Sequence, residues 1–203
     1  MSSGPPDGSL DNELQARYGL VAGVDEVGRG ALAGPVTVAA VILDPGRPIV
    51  GLDDSKRLPP VRRRRLATEI RDRSIAWVVV HRGAREIDEL NILEATRSAM
   101  REAVLGLVPV PGVVVSDAVR LGSLPFHAIA EPKADASFLC VAAASILAKV
   151  TRDSMMVAWA AIHPGYHWER NKGYGSPAHL EALRRLGPTS LHRRTFAPVR
   201  VLA

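Results

Sequence analysis

Leu20 to Val24 and, beyond a glycine-rich turn, Pro35 to Leu43 are apolar runs without the polar alternation of a strand that faces water on one side. Val36, Val38, Val41 and Ile42 favour β structure, so the pattern predicts two adjacent strands in a sheet covered on both faces. "RPIVG" (47–51) reads as a short further strand piece before the turn "LDDSKRLPP". "PPVRRRRLATEIRDR" opens on proline and spaces Val61, Leu66 and Ile70 among basic residues, which predicts a helix with one buried stripe. "IAWVVVHR" is a third strand. "AREIDELNILEATRSAMREAVLGL" is helical in two pieces, with Asn91 capping the second. "GVVVSD" and "FHAIA" are strands, "SFLCVAAASILAKVTRDSMMVAWAAI" is a long buried helix, and "SPAHLEALRRLG" is a last helix before a Pro-rich basic tail.

Three strands, helices, then two strands with helices between and after them predict a mixed α/β sheet flanked by helices. Residues 1–15, rich in Ser, Gly, Pro and Asp up to about residue 12, predict a disordered lead-in. Residues 16–203 predict one domain, with a helical region from about residue 160 onward. No internal repeat is present.

Composition narrows the function. Hydrophobic content is 47%, charged content 23% and net charge +5, which suits a globular protein with a polyanionic partner. The single cysteine, Cys140, excludes a disulfide framework and reads as a small buried hydrophobe. The N-terminus lacks the basic start and apolar core of a signal peptide, and no run approaches the roughly 18 to 20 apolar residues of a bilayer span. The expectation is a cytoplasmic protein with no membrane partner.

The chemistry concentrates where apolar runs end on acid. "LVAGVDE" ends on Asp25 and Glu26, "GVVVSD" ends on Asp117, and "KADASF" sets Asp135 just before the long helix. Residues beyond strand ends converge on a crevice in open α/β sheets, and converging carboxylates repel one another unless a cation joins them. Hard oxygen ligands suit Mg²⁺ or Mn²⁺, and a two-ion site suits phosphodiester hydrolysis. Neighbouring strand residues point to opposite faces, so the first strand is expected to finish or bend at Asp25-Glu26, with Gly28 and Gly30 allowing it. Taken singly, each acid is more simply a turn former or helix cap.

Gly28-Arg29-Gly30 offers backbone amides beside a guanidinium, a cradle for a phosphate or a sugar hydroxyl. A dinucleotide-binding glycine turn is the weaker alternative, because Pro35 and β-branched residues follow where a helix is required. Lys56 in "LDDSKRL" is placed for a phosphate contact, whereas Arg62 to Arg65 wrap round a helical turn and read as a solvated face. In the tail, Arg170, Lys172, Arg184, Arg185, Arg193, Arg194 and Arg200 stand against Glu169 and Glu181, interleaved with Tyr166, Trp168 and Tyr174. That mixture suits a nucleic-acid strand, with core packing the simpler reading of Trp168.

"GVDEVGRGALAGPV", "LDDSKRL", "AAASILAKVTRD", "NKGYGSPAHLEAL" and "GPTSLHRRTFAPV" in this order closely resemble bacterial ribonuclease HII, the type 2 ribonuclease H family, over about residues 18 to 199. The resemblance implies a ribonuclease H-like fold: a five-stranded mixed sheet, its first three strands antiparallel, with a small C-terminal helical extension that binds substrate. It implies an Mg²⁺- or Mn²⁺-dependent monomeric endonuclease that hydrolyses RNA in RNA/DNA hybrids. It further implies cleavage 5′ of single ribonucleotides in duplex DNA, leaving 3′-hydroxyl and 5′-phosphate ends, and roles in ribonucleotide excision and primer removal. The family's metal-binding acids fall on Asp25, Glu26, Asp117 and Asp135. Its 2′-hydroxyl-reading motif falls on Gly28, Arg29 and Gly30, its junction tyrosine on Tyr174 and its phosphate-contacting lysine on Lys56. Ala118 and Ala134 stand where the family usually has glycine, so the loops beside Asp117 and Asp135 are expected to take a different path.

Overall fold

The computed structural model describes residues 4–202. Val21–Val27 (β1), Val36–Ile42 (β2), Ala76–Arg82 (β3), Val113–Asp117 (β4) and His127–Glu131 (β5) form one sheet in the order β3-β2-β1-β4-β5. β1, β2 and β3 are antiparallel, while β4 and β5 run parallel to β1. The mixed sheet predicted from the element order is therefore present.

The centre of the sheet is covered twice, as its unbroken apolar runs require. Ile92–Leu105 (α4) packs Met100, Ala103 and Val104 against Ala22, Val24 and Val38 on one face. Pro60–Arg73 (α2) and the long Leu139–Ile162 (α5) pack on the other, against Ala39 and Val41. Close approach of α5 to β1 depends on Gly23, where a Cβ would fall 2.2 Å from the Cys140 carbonyl carbon. Cys140 is itself a buried core residue. On α2, Leu66, Ala67 and Ile70 form the buried stripe, but Val61 stays 71% exposed because it lies in the first turn, off that face.

Ala84–Leu90 (α3) leads into α4, and Asn91 caps α4 as predicted, its side chain accepting from the Leu93 and Glu94 amides. Trp168–Asn171 (α6), Pro177–Leu186 (α7) and Ala197–Arg200 (α8) follow α5 and surround a second small core of Trp168, Tyr166, Leu183 and Val199. Trp168 is fully buried and Tyr166 stacks on it, so neither presents a ring to solvent.

Two expectations are corrected. The stretch expected to be disordered holds a helix, Ser9–Tyr18 (α1), although residues 1–3 lie outside the described region. Its reason is a distant contact: the Asp11 carboxylate accepts from the Leu139 and Cys140 amides at 2.8 and 3.0 Å and so caps α5. "RPIVG" forms no strand, because β2 already has β1 and β3 as neighbours and Val50 is 82% exposed. Among the described residues no helix is long and apolar enough to cross a membrane.

Candidate active site

β1 does not finish at its acids. Asp25 and Glu26 pair with Ala39 and Val38 of β2, and the strand continues to Val27. What ends there is the other ladder: pairing with β4 stops at Val24 and Ser116. Alternation puts Asp25 on the α5 side with Gly23 and Glu26 on the α4 side with Val24. Both nonetheless reach one cavity, because no neighbouring strand separates them past the end of β4.

That cavity, about 220 Å³, is lined by Asp25, Glu26, Ser55, Lys56, Asp117, Ser145, Lys149 and Tyr174. Asp117, the last residue of β4, accepts from the Lys133 amide at 2.6 Å and the Ala134 amide at 3.3 Å. These bonds tie β4 to the 3-10 turn Ala134–Ala136 that carries Asp135. Asp135 does not line the cavity, yet its charge is felt by Asp25 and by Lys56.

Electrostatics mark the cluster as strained in its anionic form. Burial, then the neighbouring Glu26, pushes the Asp25 carboxyl well above the usual carboxylate range, and the Glu26 backbone amide and nearby Ser145 only partly oppose this. Glu26 is raised by burial and by Asp117 despite Arg29, which reaches it at 3.3 Å. Asp135 is raised by burial, Asp54 and Asp117. Lys56 responds in the opposite sense: burial pulls its pKa down, but Asp54, Asp135, Asp25 and Asp117 outweigh it and raise the ammonium.

A divalent cation fits these donors. All are hard carboxylate oxygens, and Glu26 Oε2 is buried with no hydrogen-bond partner. Among the described residues no three acids are drawn together into a finished cage. Such a site suits a hard divalent cation held by one or two carboxylates with water and phosphate oxygens.

The alanine positions resolve differently from each other. Ala118 does adopt the left-handed conformation, φ 55°, and so carries the strain that glycine would avoid. At the second loop the left-handed residue is Lys133, φ 61°, and Ala134 sits buried in the 3-10 turn with no such demand. Ala118→Gly is expected to raise stability by up to about 1 kcal/mol, read as a higher urea midpoint with an unchanged slope. An unchanged or lower midpoint would contradict strain at Ala118.

Beside the acids, the turn after β1 is held by two buried arginines that sequence reading missed. Arg193 donates to the carbonyls of Gly28 (2.6 Å), Arg29 (2.7 Å) and Gly34 (2.9 Å). Arg152 donates to those of Pro35, Ala33 and Lys172. Gly28 is needed for this arrangement: its φ is +92°, and a Cβ would meet Arg152 Nε at 2.2 Å. Gly30 is different, because a Cβ there would meet nothing within 4 Å, so what glycine provides is open space over the backbone. Arg193 is thus no surface contact for nucleic acid, although its position in "LHRRTF" next to exposed Arg194 suggests one. Nor is the arginine run of α2 uniformly solvated: Arg63 turns inward to the Ser55 and Leu58 carbonyls and fixes the loop that carries Lys56.

The same turn is joined to the loop between α6 and α7. The Leu32 and Ala33 amides donate to the Gly173 carbonyl, which places Tyr174 beside the cavity, 37% exposed, with the Arg152 guanidinium 5.4 Å from its ring centroid. Behind Tyr174 runs a buried relay. The Thr189 amide donates to His192 Nδ1, so His192 Nε2 carries the proton and donates to His179 Nε2, which also accepts from Trp168 Nε1. His179 Nδ1 then donates to the Tyr174 carbonyl at 2.9 Å.

Burial, with His179 and His163 nearby, depresses the His192 pKa from 6.5 to about 4. The folded state therefore binds fewer protons than the unfolded one between these values. The stability of the neutral pair is present above pH 6.5 and is lost as pH falls toward 4. Thermal melts are expected to show a loss between pH 7 and 5 that His192→Gln reduces; an identical loss in the variant would exclude the relay as its source.

A sequence profile described as Ribonuclease HII matches residues 22–199, from β1 through α8. The chain belongs to the ribonuclease HII family. Ribonuclease H2 from Pyrococcus horikoshii OT3 is 29% identical with a TM-score of 0.78, over 90% of this chain and 96% of that one. The ribonuclease HII of Archaeoglobus fulgidus, solved in complex with PCNA, is 29% identical with a TM-score of 0.74, over 89% and 96% of the two chains. Bst-RNase HIII, solved with Mn²⁺, is 21% identical with a TM-score of 0.71, over 89% and 68%, and speaks to the fold alone. Family and fold make the chain a ribonuclease H, an enzyme that acts on RNA/DNA hybrids.

Proposed function

We propose that the enzyme cuts on the 5′ side of a ribonucleotide, in hybrids and at single ribonucleotides within duplex DNA, leaving 3′-hydroxyl and 5′-phosphate ends. The carrying observation is the convergence of Asp25, Glu26 and Asp117 on one cavity with Lys56 and Tyr174, beside the turn of Gly28 to Gly30. Asp25, Glu26, Asp117 and Asp135 would hold the ions. When bound, two Mg²⁺ or Mn²⁺ ions supply the charge that lets these acids ionise together, and Lewis-acid activation of water and the leaving oxygen.

The chain's own residues do the rest. Lys56 pairs with a phosphate, as its raised pKa keeps it charged among the acids. Arg29 and the open backbone at Gly30 meet the 2′-hydroxyl, the group that separates RNA from DNA at that position. Tyr174 packs its exposed ring on the neighbouring deoxyribose, backed by Arg152. A monomer suffices, since every residue named comes from one chain. In the cell this activity suits removal of misincorporated ribonucleotides and of primer RNA.

A labelled duplex with one ribonucleotide tests the reading. It is expected to be cut in Mn²⁺ or Mg²⁺ and spared in EDTA, and an uncut duplex across both metals and a range of pH would overturn the proposal. Tyr174→Ala is expected to lower single-ribonucleotide cleavage at least about tenfold more than cleavage of a long hybrid, a difference of roughly 1.4 kcal/mol in transition-state binding. Equal losses on the two substrates would remove Tyr174 from the junction.

A further inference from the structure

The turn that carries Asp135 is tied at both ends by carboxylates from other parts of the chain. At its start Asp117 accepts from the Lys133 and Ala134 amides. Past its end the Phe138 amide returns to the Ala134 carbonyl at 2.8 Å, so the turn runs straight into α5, whose first amides need acceptors from elsewhere. α5 has no cap of its own: Phe138 holds the N-cap position, and the first helical turn contains no acid. Asp11 of α1 supplies both acceptors, one oxygen for the Leu139 amide at 2.8 Å and the other for the Cys140 amide at 3.0 Å. Leu14 and Tyr18 of α1 pack on the buried cluster that contains Ala134 and Phe138, on either side of Asp135 in sequence. Asp11 lies outside residues 22–199, so the family match gives it no part.

We infer that Asp11 is a positioning residue for Asp135: by capping α5 it fixes the turn on which Asp135 stands, and with it the place of that carboxylate relative to Asp25 and Asp117. The inference rests on the proposed role of Asp135 as a metal ligand, and adds a residue that does not line the acid cavity. Without a cation the Asp135 charge is repelled by Asp25 and Asp117. A turn tied at both ends resists that repulsion. A turn tied only through Asp117 yields to it, and the cation then binds a site that is correctly arranged for a smaller fraction of the time, so its apparent affinity falls by that fraction.

The test reads Mn²⁺ binding to the full chain without nucleic acid, from the paramagnetic resonance signal of the free ion. Wild type is compared with Asp11→Ala, Asp11→Asn, Asp135→Asn and the double variant D11A/D135N. Asn91→Gly removes the cap of α4, on the opposite face of the sheet, and controls for loss of a helix cap as such. Asp11→Ala is expected to weaken Mn²⁺ binding about tenfold, the lower end of what partners of metal ligands contribute. Asp11→Asn keeps one acceptor and should fall between Asp11→Ala and wild type. Asn91→Gly should lower the melting temperature to a similar extent yet bind Mn²⁺ as wild type does. In the Asp135→Asn background, removing Asp11 should add nothing, because no carboxylate remains there for it to place. Wild-type Mn²⁺ affinity in Asp11→Ala, an equal loss in Asn91→Gly, or additive losses in the double variant would overturn the inference alone. Wild-type Mn²⁺ affinity in Asp135→Asn would instead defeat the reading of Asp135 as a ligand, and the inference with it. An enzyme that binds Mn²⁺ but does not cut would defeat the proposed cleavage and leave the role of Asp11 decided by the binding data.

Discussion

Asp25→Asn is expected to lower cleavage on the order of 10³-fold or more while raising the melting temperature. The two effects share one cause. Asp25 is buried at 6% exposure, next to Glu26 and within reach of the Asp135 charge, and its carboxyl is held well above its ordinary pKa of 3.8. A carboxyl whose folded-state pKa is raised costs stability that grows as pH rises from 3.8 through the folded value. At neutral pH without added metal, replacing it by a neutral amide of the same shape removes that cost. The amide also removes the negative oxygen a cation would bind, so Mn²⁺ should stabilise the wild type against heat and stabilise the variant less. A variant that retains activity would take Asp25 out of the site; one that is inactive but less stable would contradict the electrostatic origin of the strain.

The second large effect concerns a residue with no direct contact to the cavity. Arg193→Met is expected to cost at least about 3 kcal/mol, because the Gly28, Arg29 and Gly34 carbonyls lose their donor together. In a domain of this size that lowers the melting temperature by roughly 6 to 12 °C. Arg193→Lys should fail nearly as badly, since one ammonium cannot span three carbonyls. Arg194→Ala, one residue on, should change stability by no more than about 0.5 kcal/mol: only its backbone amide is used, donating to Asp88. In Arg193→Lys the residual folded enzyme should lose more activity on a duplex with one ribonucleotide than on a long hybrid, because the turn that carries Arg29 is no longer held. Similar stabilities for the Arg193 and Arg194 variants would refute the scaffold role.

Arg193 and Arg194 also show why part of the site was not legible in sequence. Both are arginines in a basic tail, and only the path of the chain decides that one is fully buried against the turn after β1 and the other exposed. Arg152, equally missed, carried a signal that could have found it: a charge on a buried helix needs acceptors, and the irregular turn between two strands supplies them. By contrast, the sheet was legible from β1 and β2 because strands buried on both faces leave unbroken apolar runs. Asp25, Glu26 and Asp117 stood out as candidates because they end such runs. How Asp25 and Glu26 share a cavity was not, since it depends on where pairing with β4 stops, a property of two strands at once. Helix α1 was hidden for a similar reason: Asp11 acts on an amide pair more than a hundred residues away.

On the proposed function, converging carboxylates direct water, rather than the ribose 2′-hydroxyl, at the phosphate on the 5′ side of a ribonucleotide. The most direct measurement is end analysis of a duplex with one ribonucleotide, labelled at either terminus and cut in Mn²⁺. The expected result is a single cut that leaves a 3′-hydroxyl on the DNA and a 5′-phosphate on the ribonucleotide. A cut on the 3′ side of the ribonucleotide, or a 2′,3′-cyclic phosphate among the products, would contradict it.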